Sequence, residues 1–257
     1  MIAAERHQHI LKNLRKSGSV RVMELADSLK VAPETIRRDL DKLAAERLVI
    51  RGHGGAISIS TPPVDVSFAE RQNMMIAEKE AIVKEAVSLI EHGDTIILDA
   101  STTSYCLAQI LPEAALTVLT NSYHIITYLS TRQDIQLVGI GGSLDRTSMS
   151  FLGPTAEAIL ERYSADKAFL SCRGIDLEKG ATDSNEFHVS LKKRIVQNAR
   201  CKFLLADYSK FGVKALASYS DLGRFDAVYT DTKLDKSFAK KIRQEGTELH
   251  RVKANHK

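Results

Sequence analysis

Residues 22–43 read Val22-Met23-Glu24-Leu25-Ala26-Asp27-Ser28-Leu29-Lys30-Val31-Ala32-Pro33-Glu34-Thr35-Ile36-Arg37-Arg38-Asp39-Leu40-Asp41-Lys42-Leu43. Val22, Leu25, Ala26 and Leu29 share one face of a helix, and Ile36, Leu40 and Leu43 share one face of a second. Only Lys30-Val31-Ala32 separates them. Helix, tight turn and a cation-bearing second helix is the arrangement that docks in a DNA major groove. Upstream, Ile10, Leu11 and Leu14 mark another helix. Downstream, Leu48-Val49-Ile50-Arg51 and Ala56-Ile57-Ser58-Ile59 flank Gly52-His53-Gly54-Gly55, which predicts a β-hairpin. Residues 1–57 therefore read as a winged helix-turn-helix.

With Ile36, Leu40 and Leu43 turned inward, Thr35, Arg37, Arg38 and Lys42 stand on or near the exposed side of the third helix. Arginine reads guanine through paired hydrogen bonds, while Lys and Thr hold phosphates. The competing reading pairs Arg37 and Arg38 with Glu34, Asp39 or Asp41 on the surface. Charge favours the polyanion: residues 1–57 hold eleven Lys and Arg against seven Asp and Glu, and that excess equals the +4 of the whole chain. Ala32 falls at the N-cap of this helix and forgoes a side-chain bond worth roughly 1 kcal/mol. Pro33 at the first helical position and Glu34 at the positive helix end offset part of that loss.

Residues 58–75, with Pro62-Pro63, read as an extended linker. From residue 76 to 257 helices and short apolar strands alternate. A helix with Ala81, Ile82, Ala86, Val87 and Ile90 ends at His92-Gly93. Strands are expected at 95–99, 116–119, 135–140, 167–170, 202–206 and 227–229, and helices at 104–111, 154–163, 187–200 and 235–245. This pattern predicts an α/β domain with a doubly wound, mostly parallel sheet. Ligands of such sheets bind beyond the carboxyl ends of the strands. The loops expected there are polar: Asp99-Ala100-Ser101-Thr102-Thr103-Ser104, Thr120-Asn121-Ser122, Gly141-Gly142-Ser143, Ser171-Cys172-Arg173-Gly174-Ile175-Asp176, Thr182-Asp183-Ser184-Asn185-Glu186 and Asp207-Tyr208-Ser209-Lys210-Phe211. Each alone fits an ordinary turn. Six on one sheet edge point to a polyhydroxylated or phosphorylated ligand.

Glu34-Thr35-Ile36-Arg37-Arg38-Asp39-Leu40, Leu43 and Arg51-Gly52-His53-Gly54-Gly55-Ala56 resemble the N-terminal signature of the DeoR-type family of bacterial sugar-metabolism regulators, although members usually carry Ser where this chain has Ala32. The resemblance spans nearly the whole chain. It implies operator contacts from Thr35, Arg37, Arg38, Lys42, Arg51, His53 and Gly54. It also implies a sensor domain similar to ribose-5-phosphate isomerase that binds a phosphorylated sugar. Ser101, Thr102, Thr103 and Lys210 would hold the phosphate. Asp99, Asn121, Asp176, Asp183, Asn185 and Glu186 would read hydroxyls, beside the Gly141-Gly142 loop. Lys193 and Lys192, one turn past Glu186, either add charge to the site or form a solvated helix face. The strings around Asp99, Cys172 and Asp183 are similar to the branch controlling deoxyhexose (rhamnose or fucose) use.

The expectation is therefore a repressor released from double-stranded operator DNA by a sugar phosphate, working as a homodimer or homotetramer. The alternative is a sugar-phosphate isomerase with an added DNA-binding domain. Glu186 stands about where the isomerase has its base, but Arg173-Gly174-Ile175-Asp176-Leu177 replaces that enzyme's acidic loop, which favours binding without turnover. Cys172 lacks a His pattern that would supply a base and reads as a packed or ligand-lining residue. Three widely spaced cysteines offer no disulfide framework or zinc motif, and no cofactor is expected. The polar N-terminus and the want of a long apolar run lead to a cytoplasmic expectation without membrane contact.

Overall fold

The computed structural model describes residues 3–17, 19–46, 48–52, 54–58 and 66–255. They fall into two compact units, Met1–Val66 and Ser67–Lys257.

In the first unit, α1 (Ala3–Ser17), β1 (Ser19–Arg21), α2 (Val22–Leu29) and α3 (Pro33–Ala45) precede a hairpin of β2 (Val49–Gly52) and β3 (Gly55–Ser58). Ile10 and Leu14 of α1 close a core with Leu25, Leu29, Ile36, Leu40 and Leu43, so the apolar faces expected from spacing meet. Lys30 turns the chain out of α2 with a φ of +52°. Ala32 caps α3 without a side-chain bond, and Pro33 opens it. The strand β1 lay outside the sequence reading. It pairs antiparallel with β3, giving the sheet order β1-β3-β2. Gly55 belongs to that sheet rather than to the turn: a Cβ there would lie 2.0 Å from the Val20 carbonyl oxygen. The turn uses Gly54, at a φ of +83°.

The expected linker is shorter than residues 58–75, of which 59–65 lie outside the described residues. Ser67 and Glu70 form a reciprocal capping box at the head of α4 (Phe68–Gln72), and α5 (Ile76–Ala86) follows. Phe68 is buried and stacks on His124 with ring centroids 4.0 Å apart, while its N–H donates to the Thr147 carbonyl at 3.0 Å. Residues from Ser67 onward thus belong to the second unit, fixed by a cap and an aromatic anchor.

That unit continues with β4 (Thr95–Leu98), α6 (Thr102–Ala108), β5 (Leu116–Thr120), α7 (Tyr123–Leu129), β6 (Ile135–Gly139), the hairpin β7 (Ser143–Asp145) and β8 (Ser150–Leu152), and α8 (Pro154–Leu160). Then come β9 (Ala165–Leu170), β10 (Gly174–Asp176), β11 (Gly180–Asp183), α9 (Glu186–Asn198), β12 (Ala199–Leu205), β13 (Ala217–Ser220), β14 (Ala227–Asp231), α10 (Lys236–Gln244) and β15 (Glu248–Val252). Seven strands form one sheet in the order β15-β14-β12-β9-β4-β5-β6, and every pairing is parallel. Both faces are covered. Ile96, Leu98 and Phe169 pack with α5, α6 and α7 on one side, while Ile97, Ala168 and Leu170 pack with α8, α9 and α10 on the other. A small antiparallel sheet, β10-β11-β13, adds strands that the alternation of helix and strand had not revealed.

The strand order fixes where a ligand can enter. From β4 the chain moves to β5 and β6, then returns to the opposite neighbour of β4, β9, and continues outward through β12, β14 and β15. Loops after β4 and β9 therefore depart in opposite directions and leave a crevice at the carboxyl ends of these two strands.

Candidate functional site

On α3, Arg37, Arg38 and Lys42 are exposed and Thr35 is half-buried. The surface-pairing alternative is realised for one residue: Arg37 donates to the Glu34 carboxylate at 2.9 Å, with both side chains more than half exposed. Such a pair is weak and opens readily toward a phosphate. Asp39 is not a partner of Arg37 or Arg38. It is buried and receives Arg6 Nε at 2.7 Å, Arg6 Nη2 at 3.0 Å and His7 Nε2 at 3.0 Å from α1. Burial raises the pKa of Asp39, but the bonds from Arg6 and His7 outweigh it and hold the carboxyl below its usual range. Gly54 is exposed at the wing turn, whereas His53 and the Arg51 side chain lie outside the described residues.

In the second unit the crevice between β4 and β9 is a narrow cleft, open to solvent. Ala100, Ser101, Thr102 and Thr103 come from the loop after β4 and the start of α6. Ser171, Cys172 and Arg173 follow β9, and Asp207, Ser209 and Lys210 follow β12. His188 and Lys192 enter from α9, and Asp183 from the end of β11. Arg71 of α4, Lys79 of α5, and Met74 and Met75 of the turn between them close the cleft. Five cations thus face two carboxylates. The four residues expected to hold a phosphate, Ser101, Thr102, Thr103 and Lys210, all line it. The Ser101 hydroxyl is already engaged at the head of α6, accepting from the Ser104 N–H and donating to the Ser104 hydroxyl, each at 3.0 Å.

Arg71 and Lys79 were not foreseen, because they lie in what read as a linker and an ordinary amphipathic helix. The Lys79 ammonium is buried, donates to the Arg71 carbonyl at 2.5 Å, and has its pKa lowered to about 8, mainly by burial. Cys172 and Asp183 occupy the inner wall. Burial pushes the Cys172 thiol up to about 12, which disfavours a thiolate near neutrality, and the side chain is packed in the cleft wall.

Behind this wall lies a buried ion network. Lys192 Nζ donates to Asp183 Oδ2 and to the Ser171 carbonyl, each at 2.7 Å, lies 3.2 Å from Asp99 Oδ2, and sits over the Tyr219 ring at 5.2 Å. Lys192 is therefore no solvated residue. Its neighbour Lys193 is the exposed one, outside the cleft. Burial opposes the charge on Asp183, yet Lys192, His188 and Arg173 outweigh it and hold the carboxyl at about 2.

Several residues expected to read hydroxyls do something else. Asp99 is buried behind the cleft and accepts from the Ser101 N–H at 3.1 Å, the Ser104 hydroxyl at 2.6 Å and the Ser171 N–H at 2.9 Å. It locks the loop after β4 to the loop after β9. Asn121 is buried and donates to the Phe151 carbonyl, 3.1 Å away. Asp176 closes the turn between β10 and β11 by accepting from the N–H groups of Glu178 and Lys179. Asn185 caps α9 by accepting from the Phe187 N–H, and Glu186 is exposed outside the cleft. Gly141 and Gly142 also lie away from it, where Gly142 passes so close to β8 that a Cβ would meet the Leu152 carbonyl at 2.5 Å. Among the described residues no cluster of His, Cys, Asp or Glu could hold a metal ion, and no helix is long and apolar enough to cross a membrane.

A winged helix-turn-helix joined in one chain to a doubly wound unit with a cationic cleft is the build of a ligand-responsive transcription regulator. The chain belongs to the DeoR family: residues 6–62 match the DeoR-like helix-turn-helix domain and residues 74–232 match the DeoR C terminal sensor domain. It is 43% identical to the uncharacterized HTH-type transcriptional regulator YulB of Bacillus subtilis over 94% of each chain. It is 34% identical to the L-fucose operon activator of Haemophilus influenzae over 93% of this chain and 96% of that one. It is 30% identical to the glycerol-3-phosphate regulon repressor of Escherichia coli over 90% of this chain and 92% of that one. Among solved structures, the ribose 5-phosphate isomerase of Methanocaldococcus jannaschii aligns with 52% of this chain and 53% of that one, at 21% identity and a TM-score of 0.38.

Proposed function

We propose that the protein represses a sugar-catabolism operon and that a phosphorylated sugar releases it from double-stranded operator DNA. The observation that carries this reading is the convergence of Arg71, Lys79 and Lys210 on one crevice, in the same chain as the exposed cations of α3. A dianionic phosphate satisfies such a cluster, and the hydroxyls of the same ligand suit its polar remainder. The relative named for the L-fucose operon supports a deoxyhexose-derived effector. Release requires that the ligand bind the DNA-free arrangement better than the DNA-bound one, and a typical coupling of about 1–3 kcal/mol corresponds to roughly 5- to 150-fold.

Binding without turnover is supported by the state of the two carboxylates in the cleft. Asp183 is committed to Lys192, and Asp207 accepts from the Ser209 N–H and hydroxyl. Neither stands ready to move a proton beside a carbonyl. The protein is proposed to act in the cytoplasm as a homodimer or homotetramer, since one winged helix covers only a short site. Fluorescence anisotropy with operator DNA, titrated with phosphates of fucose, rhamnose, fructose and ribose, tests the reading. Release by at least one of them is expected. No release by any, or catalytic conversion of one, would overturn it.

A further inference from the structure

The charged groups of the cleft divide into two sets. Lys79 interacts electrostatically with Arg71, Asp207 and Lys210. His188 interacts with Asp183, Lys192, Asp145 and Arg173, and Cys172 lies between, feeling Lys192 and Lys210, Asp183 and Asp207. The first set, drawn from α4, α5 and the turn after β12, is mostly cationic, and the second, drawn from β11, α9 and the loop after β9, carries compensated charge around an imidazole.

That imidazole is held in the cleft wall without a hydrogen bond from the described residues. The His188 side chain is 13% exposed, it faces the cleft, and among the described residues its ring makes no hydrogen bond. The carboxylate approaching it nearest, Asp145 Oδ2 on β7, is 4.0 Å from Nε2, beyond hydrogen-bond reach. Asp145 is itself occupied by the N–H groups of Thr147 and Ser148 and by the Ser148 hydroxyl. The ring nitrogens are left to whatever occupies the cleft, so a largely covered imidazole without a hydrogen-bond partner among the described residues, on the wall of that cleft, points to a group that arrives from outside.

We propose that His188 is the residue that distinguishes a sugar phosphate from bare phosphate, by hydrogen-bonding a hydroxyl at the end of the ligand opposite its phosphate. The assignment rests on the sugar-phosphate reading above. Burial, with Lys192 and Arg173 nearby, keeps the ring neutral at pH 7 against the pull of Asp183 and Asp145. A neutral imidazole offers one N–H and one lone pair, the complement of a hydroxyl, which both accepts and donates. Phosphate finds its partners among Lys79, Lys210 and Arg71 and has no need of this ring.

Calorimetry on the full-length chain tests this, using inorganic phosphate and a panel of 6-deoxyhexose phosphates, fructose 1-phosphate and ribose 5-phosphate. The wild type is expected to bind at least one sugar phosphate more tightly than inorganic phosphate. His188→Ala should cut that preference by about tenfold while leaving inorganic phosphate within about twofold. His188→Gln, which keeps a donor and an acceptor, should recover part of it. If His188→Ala keeps the wild-type preference, the assignment fails and the proposed function stands. Parallel loss of both ligands would also overturn it, because His188 would then merely support the shape of the cleft. A wild type that binds no sugar phosphate better than inorganic phosphate overturns both readings.

Discussion

Arg6, on α1, grips Asp39, on α3, through two guanidinium hydrogen bonds of 2.7 and 3.0 Å, and His7 adds a third contact to the same carboxylate. The helix that presents Arg37 and Arg38 is thereby tied to the first helix of its unit by a fixed polar clamp as well as by the apolar core. A carboxylate buried among such donors is costly once they are removed.

Arg6→Ala should accordingly lower the melting temperature of the N-terminal unit and weaken operator binding, although Arg6 is not among the residues assigned to DNA. The pKa of Asp39 is lowered in the folded state, so its contribution is complete above the ordinary aspartate range and disappears as pH falls through the lowered value. Thermal melts followed by circular dichroism, at neutral pH and in acid, measure this. A wild-type melt for Arg6→Ala at neutral pH would show the clamp to be without consequence.

Arg37→Ala and Arg38→Ala should leave the fold intact, because both side chains point away from the core. A lost base contact costs about 1–3 kcal/mol, and a lost phosphate contact lessens the salt dependence. Gel shifts at several salt concentrations separate the two effects. Wild-type affinity in both variants would remove α3 from the interface.

Lys79→Met and Lys210→Ala should bind operator normally and respond poorly to the effector, which in cells appears as permanent repression. Each loses a charge-assisted bond to phosphate worth about 1.5–3 kcal/mol, or roughly 10- to 150-fold in ligand affinity. Calorimetry with the released sugar phosphate gives the number. Unchanged affinity in both would place the phosphate elsewhere.

Ligand affinity should also depend on alkaline pH. The phosphate is already dianionic above about pH 7, while Lys79 loses its proton around pH 8 in the free protein. Only the charged form attracts the anion, so affinity should fall about tenfold between pH 7 and pH 9. The profile of Lys79→Met should be flatter across that range. Equal slopes for the two proteins would show that Lys79 does not titrate against the ligand.

Light scattering should find the protein as a dimer or tetramer, with operator half-sites related by the same symmetry. A strict monomer with and without DNA would count against this.

The fold was legible because its signals are repetitive: apolar residues three and four apart in α2 and α3, and short apolar runs between helices from β4 to β14. The strands that escaped are those without such a run. Glu248-Leu249-His250-Arg251-Val252 reads as polar, and becomes β15 only because β14 offers it an edge. The site was harder. Adjacent lysines at 192 and 193 look alike in sequence, yet the pitch of α9 buries the first and exposes the second. Asp99, ahead of Ser101 and Thr102, resembles a ligand group, but Lys192 and the Ser171 N–H, both remote in sequence, claim it together with Ser101 and Ser104 of its own loop. For Arg71 and Lys79 one clue was available, the Ser67–Glu70 capping box, which announces a helix where two prolines upstream had suggested an extended spacer.

The strand-order reversal between β4 and β9 has a bearing on how such a sensor can change its diet. Charge for the phosphate comes from α4, α5 and the turn after β12, while the far wall comes from β11, α9 and the hairpin holding Asp145. These walls are separate stretches of chain, so the handle common to all phosphorylated sugars and the part that tells one sugar from another can be altered independently. Substitutions around His188 could redirect the protein to a new nutrient while its grip on phosphate is inherited intact.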